Sequence, residues 1–132
     1  TPKPKPPTSA KQKPPPKTIY RKVTAREWKK IAKNPDAHIG ETIVVYGSVT
    51  QFDSITGADT FRADISGTRQ QYAFDYDTNS ILSALTAVTL ADLVEDDEFR
   101  AKVTIMGTQE YETTLGGKLT VPVLLVDSIT VL

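Results

Sequence analysis

The fold prediction rests on residues 99–132, which read FRAKVTIMGTQEYETTLGGKLTVPVLLVDSITVL. Across residues 99–107 apolar or small side chains alternate with longer or polar ones, a period of two that is typical of a strand with one buried face. Gly116-Gly117 favours a chain reversal, because glycine accepts positive φ. The almost unbroken apolar run over residues 119–126 favours a second strand that is covered on both faces. Since a long hairpin is not stable alone in water, residues upstream must complete a sheet or barrel.

Three shorter strands are predicted upstream from the same alternation. They cover residues 43–50, 60–66 and 70–76, and turn-forming residues separate them. Gly47, in the middle of the first strand, indicates a bend where the sheet curls. The third strand carries an aromatic residue at every second position, which favours core positions for at least two of Tyr72, Phe74 and Tyr76.

Residues 77–98 are interpreted as a short helical connection between the third and fourth strands. Apolar residues in this segment recur at helical spacing, and polar turn residues flank them. Residues 95–98 are acidic, and we expect them to form a solvated corner that leads into the strand at Phe99. The apolar positions on which the helical interpretation depends are Ile81, Leu82, Leu85 and Val88.

A helix is predicted to begin at Thr24. Thr24 and Glu27 have the spacing of a capping box, in which each side chain accepts a hydrogen bond from the other residue's amide. Trp28 and Ile31 lie on one face of this helix, so we expect Trp28, the only tryptophan, to pack against the body rather than to stack on a ligand. The helix is predicted to end at Asn34, because the residue before a proline avoids the α region.

Residues 1–22 are predicted to form a disordered, basic, Pro-rich linker, and residues 23–132 the folded domain. The linker contains seven of the nine prolines and seven Lys/Arg, and it has almost nothing to bury. We expect it to act as a spacer, and adhesion to anionic lipid or cell-wall polymer is the alternative. Pro4-Lys-Pro-Pro7 also fits the pattern of a proline-recognition ligand. The chain begins at Thr1 rather than Met, inside a biased segment, so we interpret it as a fragment, which leaves room for a signal, a lipid anchor or a transmembrane helix upstream.

Charge is divided along the chain although the net charge is zero. Residues 1–33 hold eleven Lys/Arg and one acid, for a net charge of +10, and residues 34–132 hold five Lys/Arg and fifteen Asp/Glu, for a net charge of −10. A basic arm therefore precedes an acidic body. Because an acidic surface repels phosphates, this division argues against nucleic acid as a ligand of the body itself.

The sequence offers little for metal or covalent chemistry. It has no cysteine and one histidine, His38, so neither a thiolate set nor a pair of imidazoles is available to a metal. It has no Gly-x-Ser-x-Gly elbow, and Leu115-Gly-Gly-Lys118 lacks the spacing of a phosphate-binding loop. We therefore predict no catalytic residue, no metal and no cofactor. A hydrolase that uses His38 with nearby carboxylates is kept as an alternative.

The predicted order of elements is a helix, three strands, a helical connection and two strands. Five strands with such a connection after the third are the layout of the OB-fold, a partly open Greek-key barrel. The chain also carries the motifs Trp28…Ile31…Asn34-Pro-Asp-Ala-His-Ile-Gly40, Tyr46-Gly47-x-Val49-x-Gln51-Phe-Asp53, Glu95-Asp-Asp…Val103…Met106-Gly107 and Tyr111-Glu-Thr-Thr-Leu-Gly-Gly117…Thr120-Val-Pro122. With these motifs, residues 24–132 resemble the bacterial, in particular actinobacterial, extracytoplasmic OB-fold proteins of the nucleic-acid-binding-like or tRNA anticodon-like group.

The resemblance implies an all-β, five-stranded OB-type barrel with an N-terminal cap helix. It also implies an extracytoplasmic domain that follows a membrane anchor and a low-complexity linker, and it specifies no activity. OB-folds bind ligands on the face of their second and third strands, between the loop after strand one and the loop between strands four and five. The candidate ligand-binding residues chosen on that basis are Phe52, Ile55, Arg62, Tyr72, Tyr76, Tyr111, Thr113, Thr114 and Lys118.

The predicted function is a non-enzymatic binding or scaffolding module held outside the cytoplasm, with a protein, peptide, glycan or cell-envelope polymer as its partner. The alternative is an OB-fold that binds single-stranded nucleic acid. The two differ in a measurable way, because only the second requires the folded body to bind single strands in a manner that salt weakens. The sequence names neither the ligand nor the oligomeric state.

Overall fold

A computed structural model describes residues 19–112 and 114–132, and of Tyr111 it describes the backbone alone. Most of the predicted linker, residues 1–22, lies outside the described residues. Its last part belongs to the fold, because Arg21–Lys22 form β1, a short strand that pairs in parallel with Ile43 and Val44. Arg21 and Lys22 thus contact the barrel although the prediction places them in the linker.

Five strands form a closed barrel, and they are β2 (Thr42–Gln51), β3 (Thr60–Ser66), β4 (Thr78–Ala84), β5 (Glu98–Glu112) and β6 (Lys118–Val131). Their order is β2-β3-β4-β6-β5, and β5 pairs back onto β2 to close the barrel. Neighbouring strands are antiparallel except for β4 and β6, which are parallel. This is the topology of an OB-type barrel, so the predicted all-β fold class is confirmed.

The inward faces of β2, β3 and β5 are the ones that the period-2 pattern predicts. Gly47 lies where the barrel wall bends, and a Cβ there would come within 2.6 Å of both the Asp64 carbonyl oxygen and Ile65 Cδ1, so only glycine fits. The inward side chains form one continuous core. Its fully buried strand residues include Ile43, Val45, Val49, Phe61, Ile65, Leu82, Phe99, Val103, Ile105 and Leu124.

A helix closes one end of the barrel. This helix, α1 (Ala25–Lys33), begins with the predicted capping box, in which the Glu27 amide donates to Thr24 Oγ1 at 3.0 Å and the Thr24 amide donates to Glu27 Oε1 at 3.3 Å. Trp28 and Ile31 are buried in the core, as predicted. A Cβ on Gly67, just after β3, would lie 2.5 Å from the Thr24 carbonyl oxygen, so the start of α1 packs directly on the end of β3.

A 3-10 turn closes the opposite end. It spans Ala87–Leu90, in the connection between β4 and β5, and packs against β4 and the last residues of β6. Leu90 and Leu93 enter the same core as Trp28. The predicted helical connection between the third and fourth barrel strands is therefore this short turn.

The predicted third strand and the helical spacing assigned after it are wrong. Residues 70–76 contain a bend and a 3-10 turn outside the barrel, and the third barrel strand is β4. Of the three aromatic residues placed on that strand only Tyr76 is buried, whereas Tyr72 is 51% and Phe74 80% exposed. The true strand is hard to read from sequence because a serine, Ser80, occupies a fully buried position in it and interrupts the apolar alternation.

The hairpin of β5 and β6 is confirmed, with a register that runs from Phe99 opposite Val131 to Glu112 opposite Lys118. The expectation that residues 119–126 are covered on both faces is wrong. Leu119 is 40% exposed. Val123 and Leu125 are only half-buried, because they lie on the outer side of the barrel wall.

Candidate functional site

The predicted ligand-binding residues do not form one cluster. Phe52 and Ile55 lie in the loop after β2, and Arg62 lies on β3 at the opposite register position to Ile81. Thr114 and Lys118 are exposed at the tip of the β5–β6 hairpin, where Lys118 Nζ is 3.8 Å from Glu110 Oε1. Thr113 and the side chain of Tyr111 lie outside the described residues.

The remaining two candidates, Tyr72 and Tyr76, belong to the segment between β3 and β4. We call residues 67–77 the aromatic loop. Tyr76 is only 2% exposed and therefore offers no surface to a ligand. Its hydroxyl donates to Glu98 Oε2 at 2.5 Å and accepts from the Gln70 amide at 3.0 Å, and Arg69 lies 3.6 Å from the same Glu98 carboxylate. Tyr76 thus fastens the aromatic loop to the outside of the barrel.

The environment of Tyr76 favours its neutral form. Burial, and secondarily the hydrogen bond to the Glu98 carboxylate, raise the pKa of Tyr76 to about 12, although the hydrogen bond from the Gln70 amide acts in the opposite direction. The hydroxyl therefore remains a donor to Glu98 throughout the physiological range. Hydrogen bonds to a charged acceptor are among the stronger ones in proteins, so the loop has a firm attachment.

Two aromatic rings stand on the outer side of this loop. The rings of Tyr72 and Phe74 are parallel to within 3°, and their centroids are 5.3 Å apart. The side chains are 51% and 80% exposed, so they bury little on one another and much apolar surface faces water. Paired, exposed aromatic rings on an anchored loop are able to stack on a flat partner, such as a nucleobase, without first being ordered.

The outer side of α1 is basic. Arg26, Lys29, Lys30 and Lys33 have the spacing of one helix face, and together they line a shallow groove of about 280 Å³. We call these four residues the basic face. It lies opposite the buried Trp28, so the packing of the helix does not require it.

Helix electrostatics explain part of the basic face and leave the rest unexplained. Lys30 and Lys33 lie in the last turn, where a cation is favoured by the helix dipole. Arg26 lies in the first turn, where a cation is disfavoured. Within residues 19–112 and 114–132, Arg26, Lys30 and Lys33 form no ion pair, so their charge is available to an external anion.

The basic face and the aromatic loop are neighbours. Lys29 Nζ lies 3.8 Å from Asp77 Oδ2, and Asp77 follows Phe74 by three residues in the same loop. The described part of the N-terminal arm joins them on this side, where Arg21 contacts Glu27 at 3.0 Å and Glu41 at 3.3 Å. The exposed rings thus belong to a loop whose end contacts the basic face through Lys29, and that loop also carries Asp75 and Asp77.

The loops at the far end of the barrel carry the opposite charge. We call residues 52–59 and 85–97 the acidic end. Together they hold six Asp/Glu and no Lys or Arg. Three of these acids support the local backbone, since Asp53 accepts from the amides of Ile55 and Thr56, Glu95 from that of Phe52, and Asp97 from that of Val94.

The outer face of β3 and β4, where OB-folds usually bind, has mixed charge. Arg62 and Asp64 project from β3 at alternate positions, and Asp64 lies opposite Asn79 on β4. Burial, and secondarily the nearby Asp77, raises the pKa of Asp64 above its usual value. This face carries no exposed aromatic ring comparable to those of the aromatic loop within the described residues.

His38 is a turn residue with one partner. Its Nδ1 lies 2.8 Å from Glu41 Oε2, as expected for a hydrogen-bonded histidine in the turn before β2. Across residues 19–112 and 114–132 no three His, Cys, Asp or Glu side chains are grouped as a metal site would require. The same part of the chain has no helix with the length and apolar character to span a membrane.

The comparisons with known proteins identify no family. No protein-family description and no curated protein matches the sequence. Among solved structures, the chain is similar to the mitochondrial single-stranded DNA-binding protein Rim1 of S. cerevisiae, with 13% sequence identity and a TM-score of 0.42 over 70% of this chain and 94% of that one. Similarity at this level carries no functional argument, and the OB-type assignment rests on the strand order itself.

Sequence patterns missed the two strongest features of this surface. The alternation of Tyr72, Phe74 and Tyr76 predicts core positions for at least two of them, and only the tertiary structure shows that Tyr76 alone turns inward. The basic face is visible in sequence as a run of cations with helical spacing on a helix whose other face is apolar. Its nearness to the aromatic loop follows from the packing of α1 on the end of β3.

Proposed function

We propose that this chain is a non-enzymatic OB-fold domain that binds single-stranded nucleic acid through the aromatic loop and the basic face. The observation that carries the proposal is the parallel, exposed pair of Tyr72 and Phe74 on a loop that Tyr76 fastens and that contacts the basic face, where three cations form no ion pair within the described residues. Rings for base stacking next to cations for phosphates are the combination that single-strand-binding surfaces use.

The net charge of the body does not oppose this proposal as strongly as the sequence suggests. β2 runs from the helix side to the acidic end over ten residues, up to about 30 Å at ~3.3 Å per residue. At an ionic strength of 0.1 M the Debye length is about 10 Å, so acids at the far end are largely screened from a ligand at the basic face. The local surface therefore matters more than the total charge.

The test compares ligands with and without bases. We expect a single-stranded oligothymidine to bind the full chain, and Tyr72→Ala/Phe74→Ala to weaken this binding by about tenfold or more, because stacking contributes roughly 1–3 kcal/mol per base. Polyphosphate of similar charge, which has no bases, should bind wild type and this variant equally. Fluorescence anisotropy at fixed salt measures both.

The matched control is Leu85→Ala/Val88→Ala, which removes two apolar side chains at the acidic end that are at least as exposed as Tyr72 and Phe74. It should bind the oligonucleotide like wild type. Equal binding of oligothymidine by wild type and Tyr72→Ala/Phe74→Ala would contradict the proposal. If a variant with Gln at Lys3, Lys5, Lys11, Lys13 and Lys17 abolished all binding, the arm alone would be the ligand-binding element.

A second candidate function is the binding of a peptide, a protein or an uncharged cell-envelope polymer outside the cytoplasm. The observation that favours it is an apolar groove at the acidic end, which has no use in nucleic-acid binding. Placement outside the cytoplasm and an upstream membrane anchor are part of this proposal. Fractionation of the source cells, followed by detection of the chain in membrane and soluble fractions, tests them.

A further inference from the structure

The acidic end contains a preformed apolar groove that the proposed function does not use. Its volume is about 340 Å³, and its walls include Phe52 and Ala58 from one loop and Leu93 and Val94 from the other. The Phe52 ring packs against Phe61 of the core, with 5.9 Å between the ring centroids.

Local hydrogen bonds hold both walls in place. The Phe52 amide donates to Glu95 Oε2 at 3.0 Å, which joins the two loops across the groove. Asp53 Oδ1 accepts from the amides of Ile55 at 2.9 Å and Thr56 at 3.2 Å, which fixes the turn of the first loop. A ligand would therefore meet a groove whose shape is already set, so little entropy is lost in ordering the walls.

Acidic residues line or adjoin the groove, and among the described residues no Lys or Arg lines it. Asp53 lines it, Asp59 follows Ala58 directly, and Glu95 and Asp96 follow Val94. The hydrogen bond from the Thr56 backbone amide, with others from Gln51 and Ile55, holds the pKa of Asp53 below its usual value, so this carboxylate is charged at neutral pH. The groove thus suits an apolar segment that carries cations.

We propose that the occupant of this groove is a segment of the same chain, residues 1–7, which read TPKPKPP. The segment supplies proline rings, which pack on aromatic-lined grooves, and lysines between them for the acidic rim. Its charge is complementary to that of a surface with six acids and no Lys or Arg. This docking is independent of nucleic-acid binding and uses the opposite end of the barrel.

The segment between residue 7 and the described part of the chain is long enough to reach the groove. Residue 19 is held beside the start of β2, because Thr42 Oγ1 donates to the Ile19 carbonyl at 2.6 Å. The groove lies at the far end of β2, up to about 30 Å away at ~3.3 Å per strand residue. Pro7 precedes Ile19 by twelve positions, and at ~3.1 Å each, the spacing of an extended Pro-rich segment, they can span roughly 37 Å. A tether of this length gives an effective concentration on the order of millimolar, so even a weak contact is populated.

Spin labelling of the full chain tests the proposal directly, since the chain has no cysteine of its own. A nitroxide on Ser9→Cys should broaden the amide NMR signals of Gly57, Ala58 and Val94 in the absence of any nucleic acid. The broadening should decrease as salt is raised toward about 1 M, where the Debye length falls to about 3 Å.

Two substitutions of equal charge separate docking from general attraction. Ala58→Arg places a cation and bulk inside the groove, and it should abolish the broadening at Gly57 and Val94. Ala87→Arg adds the same side chain at an exposed position outside the groove, and it should leave the broadening in place. Both variants change exposed positions, and unchanged amide spectra elsewhere confirm that they fold.

Three outcomes would overturn the proposal. The first is an absence of broadening at the groove in wild type, and the second is equal broadening in Ala58→Arg and Ala87→Arg. The third uses a mixture of two kinds of chain, one isotope-labelled without a nitroxide and the other spin-labelled without the isotope. Broadening in that mixture would show that the occupant comes from a second copy. None of these outcomes depends on the oligonucleotide experiments, so the two proposals fail separately.

Discussion

The two ends of the barrel are closed by different devices and present opposite charge. At one end a nine-residue helix with a capping box inserts Trp28 and Ile31 into the core and turns four cations outward. At the other, a four-residue 3-10 turn supplies Leu90, and the adjoining loops expose six acids. The difference teaches that a net charge of zero describes neither surface, because a ligand at one end responds to the charges within about a Debye length of it.

The largest expected effect is at the helix-closed end. Trp28→Ala should reduce the free energy of unfolding by about 3–5 kcal/mol, because it removes a fully buried aromatic plug and leaves a cavity. The indole Nε1 of Trp28 is buried without a hydrogen-bond partner in the described residues, so Trp28→Phe should cost less. Urea unfolding measures both, with Leu85→Ala as an exposed control. A loss no greater than that of Leu85→Ala would show that α1 does not close the barrel.

The next effect concerns the attachment of the aromatic loop. Tyr76→Phe removes the hydroxyl that donates to Glu98, and we expect a loss of about 1.5–3 kcal/mol in the free energy of unfolding, the range for hydrogen bonds to charged groups. The pKa of Tyr76 is raised from 10.0 to about 12 in the folded state. Between these two pH values the hydroxyl ionises in the unfolded chain but not in the fold, so its ionisation favours unfolding. Wild type should therefore lose stability between pH 10 and 12, and Tyr76→Phe should lose less there. Tyr72→Phe, at an exposed ring, is the control.

A third substitution set compares the two charged surfaces directly. Lys30→Gln/Lys33→Gln should weaken binding of a single-stranded oligonucleotide by on the order of tenfold at 0.1 M salt, and should reduce the salt slope by about 1.4, since each lost phosphate contact removes roughly 0.7. Asp92→Asn/Asp96→Asn removes two charges at the acidic end and should leave binding unchanged or slightly stronger. If the two double variants weakened binding equally, the division between the ends would have no part in recognition.

The smallest expected effect is on the pH dependence of stability. The pKa of Asp53 is lowered in the fold, so its contribution is present above its ordinary pKa of 3.8 and is lost as the pH falls through the folded value. The pKa of Asp64 is raised in the fold, so acidification through that value adds stability. Asp53→Asn should therefore flatten the acid limb of the stability curve, and Asp64→Asn should steepen it. Urea midpoints between about pH 3 and pH 7 measure the two slopes.

The elements with a complete local signal were predicted correctly. Thr24 and Glu27 lie close in sequence, so their capping box requires no knowledge of the fold. The alternation on β2, β3 and β5 likewise reports which face is buried, because side chains on a strand project to opposite sides in turn. These elements, with the hairpin at residues 99–132, were enough to identify an OB-type barrel.

The third barrel strand could not be predicted from its own residues, because pairing with neighbouring strands rather than a clear apolar alternation defines it. β4 is held by β3 on one edge and β6 on the other, and its buried Ser80 donates to the Thr78 carbonyl at 3.2 Å instead of adding apolar surface. The alternation of Tyr72, Phe74 and Tyr76 is stronger in sequence, yet it belongs to a loop outside the barrel. Pairing with strands that are distant in sequence decided which segment forms the third barrel strand. Tertiary context commonly overrides local strand propensity in this way.

By itself, the sequence determined the fold class, the capped helix, the inward face of most strands and the division of charge between residues 1–33 and 34–132. Each of these features depends on the spacing of nearby residues or on composition. Folding changes neither the spacing along the chain nor the composition. The tertiary structure decided which aromatic rings are exposed, how the acids of the body are distributed, and that the basic face adjoins the aromatic loop. These are distances between residues remote in sequence, and only the closure of the barrel and the packing of α1 on β3 set them.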